Sequence, residues 1–503
     1  MPRDVLLFFN FGFNPFRTHR MKKLFPFLTG FFLVCSFITV HSVEKPTPVT
    51  EIIILHTNDM HSKIDNLPKL AWLIDSLRVT HPIVFLVSAG DNFTGNPVVD
   101  MVQDVGAPMV DLMNQCGFQV SAIGNHEFDM GQEMFSYRMD QAKFPFISCN
   151  IHVVGGILRQ PQPFTNMVAG KDISIAFLSA IELNEQGIPD THPSKVKGLN
   201  FVDPIRKMKE FAWLKDKYTI LIGLTHLGVE TDMRLADSMP QLDLIIGGHS
   251  HTVIDPPIIE NGVMIVQAGA NLRYIGKTTL TVEDGRLVNR RDEIIPIGVL
   301  TRSNPKVQAA VDNYNLNEAF TQVVGYADAP LEGVDEIGSL MTDAQRSKLR
   351  ADFAFQNRGG IRVQNIAAGN ITLKDIYQLD PFNNQMVTMR MNLAEITSLI
   401  CNAFNLEKTI DLMVSGLTYT VMTNPDGTCG SVEIKDKEGK PLNPAKDYLV
   451  AMNSYMAASY RFDHRDPGIT ASATSVQILI EYLESVKNIN YSGVRRTFLN
   501  PVK

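Results

Sequence analysis

A chain of 503 residues, 45% hydrophobic and 20% charged, has room for two or three globular domains with large cores and is no disordered polypeptide. Its net charge of −7 argues against a nucleic-acid polymer or an anionic membrane surface as partner. Anionic small substrates stay open, because local cations override the global sign.

The chain begins with an export address. Met21, Lys22 and Lys23 form a short basic region, residues 24–40 are mostly apolar, and Val40, His41 and Ser42 offer a cleavage site, so residues 1–42 read as leader and signal peptide. Residues 1–20 fit poorly in front of a signal, which makes Met21 an alternative start. The apolar run is short for a membrane span and no stop-transfer charges follow it. Cys35 admits a lipoprotein reading, but Val34 stands where a small residue belongs, so simple export ranks higher. Cys116, Cys149, Cys401 and Cys429 show neither CxxC nor zinc-ribbon spacing; they can pair in an exported protein, though structural burial is the safer expectation.

After a polar leader, strand and helix signals alternate. Residues 51–55 read as a strand ending in His56-Thr57-Asn58-Asp59-Met60-His61, and residues 67–78 as a helix. A strand at 83–87 ends in Ser88-Ala89-Gly90-Asp91-Asn92. A helix at 108–115 leads to a strand at 120–123 and then to Gly124-Asn125-His126-Glu127-Phe128-Asp129. Strands at 219–224 and 242–246 end in Thr225-His226 and in Gly247-Gly248-His249-Ser250-His251, and 263–268 and 278–282 are further strands. This alternation predicts an α/β layered domain with much parallel pairing, and five strands deliver polar side chains at the carboxyl edge, where open α/β sheets place their sites. Ser303-Asn304-Pro305 breaks the pattern, and residues 306–320 read as a mostly polar connecting helix. An α+β unit follows, with a helix at 337–348 and strands at 351–355, 417–422 and 448–452.

The strand ends share one chemistry. Asp59, His61, Asp91, Asn125, His226, His249 and His251 are hard or borderline donors suited to Zn, Mn, Fe or similar ions. Two ions need about seven protein ligands when one carboxylate bridges them. Asp-x-His and His-x-His each turn alternate residues of an extended segment to one side. Alone, a His near an Asp is commonly a satisfied pair and a Gly-Asp turn only a turn. Five such fragments in order, each after an apolar run, point to a dinuclear site.

Asp-x-His, Gly-Asp-Asn, Gly-Asn-His-Glu, Thr-His and Gly-His-x-His together resemble the signature of the calcineurin-like metallophosphoesterases. Residues 55–61 and 124–129 are similar to the 5'-nucleotidase branch, which also holds UDP-sugar hydrolases and 2',3'-cyclic-nucleotide phosphodiesterases. The resemblance implies a four-layer α/β/β/α metallophosphoesterase sandwich over residues 50–300, a helical linker at 301–322 and an α+β substrate-specificity domain over 323–500. It implies one ion on Asp59, His61 and His251, another on Asn125, His226 and His249, and Asp91 bridging. His126, held by Asp129, would stabilise phosphoryl charge or protonate the leaving oxygen, with attack by metal-bound hydroxide and no covalent intermediate.

The same resemblance implies a nucleoside site in the second domain, between two aromatic rings. Asn357-Arg358-Gly359-Gly360-Ile361-Arg362 fits the Asn-x-Gly-Gly-x-Arg turn, with Arg362 offering a planar fork to phosphate, and Phe382 matches the first ring. Two departures stand out. The Gly-Gly-Asp-Gly-aromatic turn is replaced by Ala458-Ser459-Tyr460-Arg461-Phe462-Asp463, leaving Phe462 or Tyr460 for the second ring, and residues 332–339 lack an expected arginine. The expected function is an exported, periplasmic or cell-surface 5'-nucleotidase acting on nucleoside 5'-monophosphates. UDP-sugar pyrophosphatase and cyclic-nucleotide phosphodiesterase are alternatives, and a nucleotide- or glycan-binding surface protein with a vestigial site is the non-enzyme one. The partner is a small phosphate ester, with membrane contact only through the signal or a lipid anchor.

Overall fold

The computed structural model describes residues 49–500. The expected leader, signal peptide and Cys35 lie outside the described residues. No helix among those described is long and apolar enough to cross a membrane.

Ile52, Ile53, Ile54 and Leu55 are all buried, because both faces of the strand Val49–Thr57 are covered. Such unbroken apolar runs are what parallel strands sandwiched between layers require. Val49–Thr57 pairs in parallel with Val84–Ser88, which pairs with Val120–Ala122 and then Phe146–Ile147. The antiparallel strands Tyr274–Glu283 and Arg286–Pro296 complete this six-stranded sheet. A second six-stranded sheet has the parallel strands Ser174–Leu178, Ile220–Leu224, Leu244–Ile246 and Val263–Val266 at its centre, with Phe164–Val168 and Ile258–Glu260 antiparallel at its edges.

Side-chain alternation assigns the layers. Ile52, Ile54, Val87 and Val120 of the first sheet meet Ile175, Phe177, Ile222 and Leu244 of the second in one core between the sheets. Ile53, Leu55 and Leu86 turn the other way, onto Leu67, Leu70 and Ile74 of the helix Leu67–Thr80 and Met109 and Leu112 of the helix Ala107–Cys116. Leu221, Ile245 and Ile265 pack on Leu235 and Ala236 of the helix Val229–Ser238. Each fully buried Ile or Leu contributes about 1.5–3 kcal/mol. This is the four-layer α/β/β/α sandwich, and its carboxyl edge carries all five motif loops.

The connecting helix is shorter than expected, Pro305–Asn315 with a 3₁₀ turn at Glu318–Thr321. Its start is where the sequence break lies: Asn304 accepts from the Lys306 and Val307 N–H groups, with Pro305 in the first turn. It is anchored to the first domain, since Val307, Val311 and Phe320 belong to the core of the helices at 67–80 and 107–116, and Tyr314 donates to Asp111 (2.9 Å). Beyond it, a five-stranded sheet runs Leu412–Ser415, Phe353–Asn357, Tyr448–Asn453, Gln385–Met391, Ile469–Thr474. The helices Gly333–Leu349, Leu393–Glu407 and Ser475–Val486 pack around this α+β half. Cys401 and Cys429 form a disulfide across a separation of 28 residues, whereas Cys116 and Cys149 are buried thiols.

Candidate active site

The five loops converge. His61 Nε2 lies 3.0 Å from His251 Nε2, and His251 Nε2 lies 3.4 Å from Asp59 Oδ1. His226 Nε2 is 3.1 Å from Asp91 Oδ2 and 3.2 Å from Asn125 Oδ1, which is 3.1 Å from His249 Nδ1. Donor atoms of Asp59, Asp91 and His226 lie within 4.8 Å of one another, as do those of Asp59, His61 and His251 and of His61, Asp91 and His126. Asp91 thus sits centrally among the donors. His251 is exposed and His249 half-buried; Asp59, His61, Asp91, Asn125 and His226 are buried.

The backbone at this edge is strained. Asp59 (φ 50°), His61 (46°), Asp91 (53°), His249 (78°) and His251 (55°) all occupy the left-handed region. Such conformations cost on the order of 1–3 kcal/mol each and persist where the surroundings over-determine them. Close approach demands glycine at Gly124, where a Cβ would stand 2.2 Å from Asp91 Oδ1.

The loops are fixed by residues that sequence reasoning did not single out. Glu127, fully buried, accepts from the backbone N–H groups of Asp91 (3.0 Å), Asn92 (2.8 Å) and Gly124 (2.6 Å) and from Asn92 Nδ2 (3.0 Å). One carboxylate therefore ties the Asp91 and Asn125 loops together. Burial and the charge on Asp91 push its carboxyl up to about 7. Asp100 does the same for Gly95 and Asn96 (2.6 Å each) and for the Ser62 hydroxyl (2.8 Å). The sequence shows only that Glu127 lies inside a motif and Asp100 a few residues beyond one.

The donor set fits divalent cations on the orientation of its lone pairs. His226 Nδ1 donates to the Ala89 carbonyl (2.8 Å), so in the neutral ring Nε2 turns an unshared pair toward Asp91 Oδ2 and Asn125 Oδ1, both acceptors that attract a cation or a proton to this point. Asn125 Nδ2 donates outward to the Asp190 carbonyl (3.1 Å), fixing Oδ1 inward. A buried ring of facing acceptors needs positive charge at its centre. The electrostatics say the same. Burial opposes charge on His226, yet Asp91 drives its imidazole up to about 10, while burial and the His226 charge push His249 down to about 4. Burial opposes charge on Asp91 too, but the facing His226 and His126 rings hold its carboxyl well below the usual range.

His126 lies beside the donors and has a carboxylate partner of its own. Its Nδ1 is 2.6 Å from Asp129 Oδ2, and its Nε2 faces the centre, 3.8 Å from Asp91 Oδ2. Burial works against its charge, and Asp129 and Asp91 raise its pKa. The same ring forms one wall of a cavity of about 400 Å³, lined also by Asn357, Arg362, Phe382 and Tyr455. Phe382 stacks on His126 with centroids 5.7 Å apart at 28°, and the Arg362 guanidinium lies 5.7 Å from the Phe382 ring centre. Arg362 Nη2 is 3.1 Å from His61 Nε2, so the turn at 357–362 reaches the donor edge. Asn357 Oδ1 accepts from Asn453 Nδ2 (2.9 Å), which fixes its amide.

The residues expected to offer the second ring lie elsewhere. Phe462 does not line this cavity; its ring packs on His464, 4.8 Å away, and on the C-terminal core. Tyr460 is held away by its hydroxyl, which donates to Asp411 Oδ2 (2.6 Å). The cavity aromatics are Phe382 and Tyr455, because the helix Ser454–Ser459 turns Tyr455 inward before the altered loop begins.

Residues 52–253 match the calcineurin-like phosphoesterase family and residues 319–461 match the 5'-nucleotidase C-terminal domain. The chain therefore carries a calcineurin-like phosphoesterase domain followed by a 5'-nucleotidase C-terminal domain. The trifunctional nucleotide phosphoesterase protein YfkN of Bacillus subtilis is 25% identical over 81% of this chain, which spans about a third (32%) of YfkN. A 5'-nucleotidase of Vibrio cholerae is 27% identical over 86% of this chain and 90% of its own length. The 5'-nucleotidase precursor of Thermus thermophilus superposes with a TM-score of 0.79 at 23% identity, over 89% of this chain and 99% of its own, and shares the fold. As a calcineurin-like phosphoesterase the protein is a metal-dependent phosphoester hydrolase, and the family implies divalent ions.

Proposed function

We propose that the protein is an exported 5'-nucleotidase that releases phosphate from nucleoside 5'-monophosphates, with two divalent ions held by the seven donors. Asp59, His61 and His251 would hold one ion, Asn125, His226 and His249 the other, and Asp91 would bridge. The observation that carries the reading is one cavity lined by His126, whose Nε2 faces Asp91, by Phe382, whose ring stacks on His126, and by Arg362, which reaches His61. Relatives named 5'-nucleotidase and nucleotide phosphoesterase support the substrate class.

Bound ions supply Lewis-acid polarisation of the phosphoryl group and a nucleophile at neutral pH. The protein's residues do the rest. Arg362 pairs its guanidinium with phosphoryl oxygens and holds the phosphorus against the donor edge. His126 Nε2 faces the same point and donates its proton to the leaving ester oxygen, while Asp129 keeps the other ring nitrogen protonated and stabilises the charged ring. Phe382 offers a face to the base, worth roughly 1–3 kcal/mol. Phosphate release across nucleoside monophosphates, UDP-sugars and 2',3'-cyclic nucleotides, with Mn or Zn added, tests the reading. Preference for 5'-monophosphates is expected; turnover of UDP-sugars or cyclic nucleotides alone would replace the substrate, and no turnover at all would end the nucleotidase reading.

A further inference from the structure

The segment 182–191 is tied to the site at both ends. At its start the Glu182 N–H donates to the His226 carbonyl (2.8 Å). At its end the Asp190 carbonyl accepts from Asn125 Nδ2 (3.1 Å), and Thr191 Oγ1 donates to Asp129 Oδ1 (3.4 Å). Glu182 Oε1 accepts from the Asp190 N–H (2.6 Å), so the two ends are clamped together. Asn125 and Asp129 are the residues whose orientation matters most: one must turn its oxygen toward His226 and His249, the other must hold His126.

The outer side of this loop is gripped by the C-terminal half. The Tyr455 hydroxyl donates to Asp190 Oδ1. Gln186 Nε2 donates to the Ser459 carbonyl (2.6 Å), and Arg461 Nη2 donates to the Glu185 carbonyl (2.6 Å). All three contacts come from the helix Ser454–Ser459 or the residues just after it, and Ser459 and Arg461 fall in the altered stretch 458–463. Tyr455 is the innermost of them and the one that grips the residue bonded to Asn125.

We propose that Tyr455 is a positioning residue for hydrolysis: its hydrogen bond to Asp190 holds the loop that orients Asn125 and Asp129, so seating of the C-terminal half is transmitted to the reacting end of the cavity. The proposal rests on the phosphoesterase reading for its kinetic consequence but not for its structural one. A group acting through Asn125 and Asp129 changes how well the bound substrate reacts, whereas a cavity wall changes how well it binds.

The test is Tyr455→Phe, which keeps the ring and removes the hydroxyl, alongside Asp190→Ala and the double variant, all in the full metal-loaded protein. For whichever ester the wild type turns over, kcat is expected to fall about tenfold in Tyr455→Phe with KM little changed. The double variant should be no slower than Asp190→Ala, because both act through one path. Hydrogen exchange read by mass spectrometry should quicken in peptides covering 125–129 as well as 182–191. A kcat within twofold of wild type, a rise in KM alone, additive losses in the double variant, or exchange that quickens only around 454–460 would each overturn the proposal. Should the wild type hydrolyse nothing offered, the phosphoesterase reading fails and the exchange at 125–129 still decides the coupling.

Discussion

At the donor edge, Asp59, His61, Asp91, His249 and His251 sit on left-handed backbone, and Glu127 and Asp100 pin their loops by multiple N–H groups. Across the cavity, Arg362, Phe382 and Tyr455 sit on ordinary backbone and reach the site through contacts between residues far apart in the chain. The first arrangement stores strain and leaves little freedom to any side chain. The second leaves its side chains held by fewer backbone constraints. The difference predicts that changes at the edge abolish turnover, whereas at the wall the cavity-lining ring of Phe382 tunes substrate choice.

Asp91→Asn probes the edge most severely. Removing the central carboxylate should cost on the order of 10³-fold or more in kcat and lower the metal content of the purified protein; retained metal with near-normal kcat would erase the contrast. His126→Ala should cost about 10²–10⁴-fold in kcat with metal content unchanged, and Asp129→Asn about 10–100-fold, measured on the preferred ester. Phe382→Ala belongs to the other side of the comparison. Its loss should appear in KM, about tenfold for a nucleotide and little for a phosphate ester without a base. Equal loss for both esters would make Phe382 a support for His126 instead.

The smallest effect is on stability, far from the site. Burial opposes charge on Asp343, but paired hydrogen bonds from Arg496 (2.8 Å each), with Ser415 and Tyr491, hold its carboxyl below the usual range. A depressed carboxyl stabilises the fold above its unfolded value of about 4, and this contribution is lost as pH falls through the folded value. Thermal melts should therefore show Asp343→Asn losing about 1–2 kcal/mol at pH 7 and closing on the wild type as the pH falls below the ordinary carboxylate range. A constant gap at all pH values would contradict that.

What could be read from the chain follows the same division. Asp59, Asp91, Asn125, His226 and His249 each follow a buried apolar run, so strand and donor are encoded side by side and the converging edge follows from the α/β layering. Glu127 lay inside a quoted motif, but a carboxylate accepting four N–H groups becomes visible only when two loops are brought together. Phe462 and Tyr455 are seven residues apart, and which one enters the cavity depends on how the short helix Ser454–Ser459 docks. The Cys401–Cys429 pair depends likewise on where the strand Cys429–Asp436 lies against the helix Leu393–Glu407. The edge strands Phe164–Val168 and Arg286–Pro296 are partly exposed and lack the long apolar run that marks a central strand.

The central claim is that seven donors from five loops hold two cations. Diffraction from metal-loaded crystals at and below the absorption edge of the added ion tests it most directly. Two anomalous peaks are expected on either side of Asp91, one beside Asp59, His61 and His251 and the other beside Asn125, His226 and His249. A single peak, or peaks away from Asp91, would contradict it.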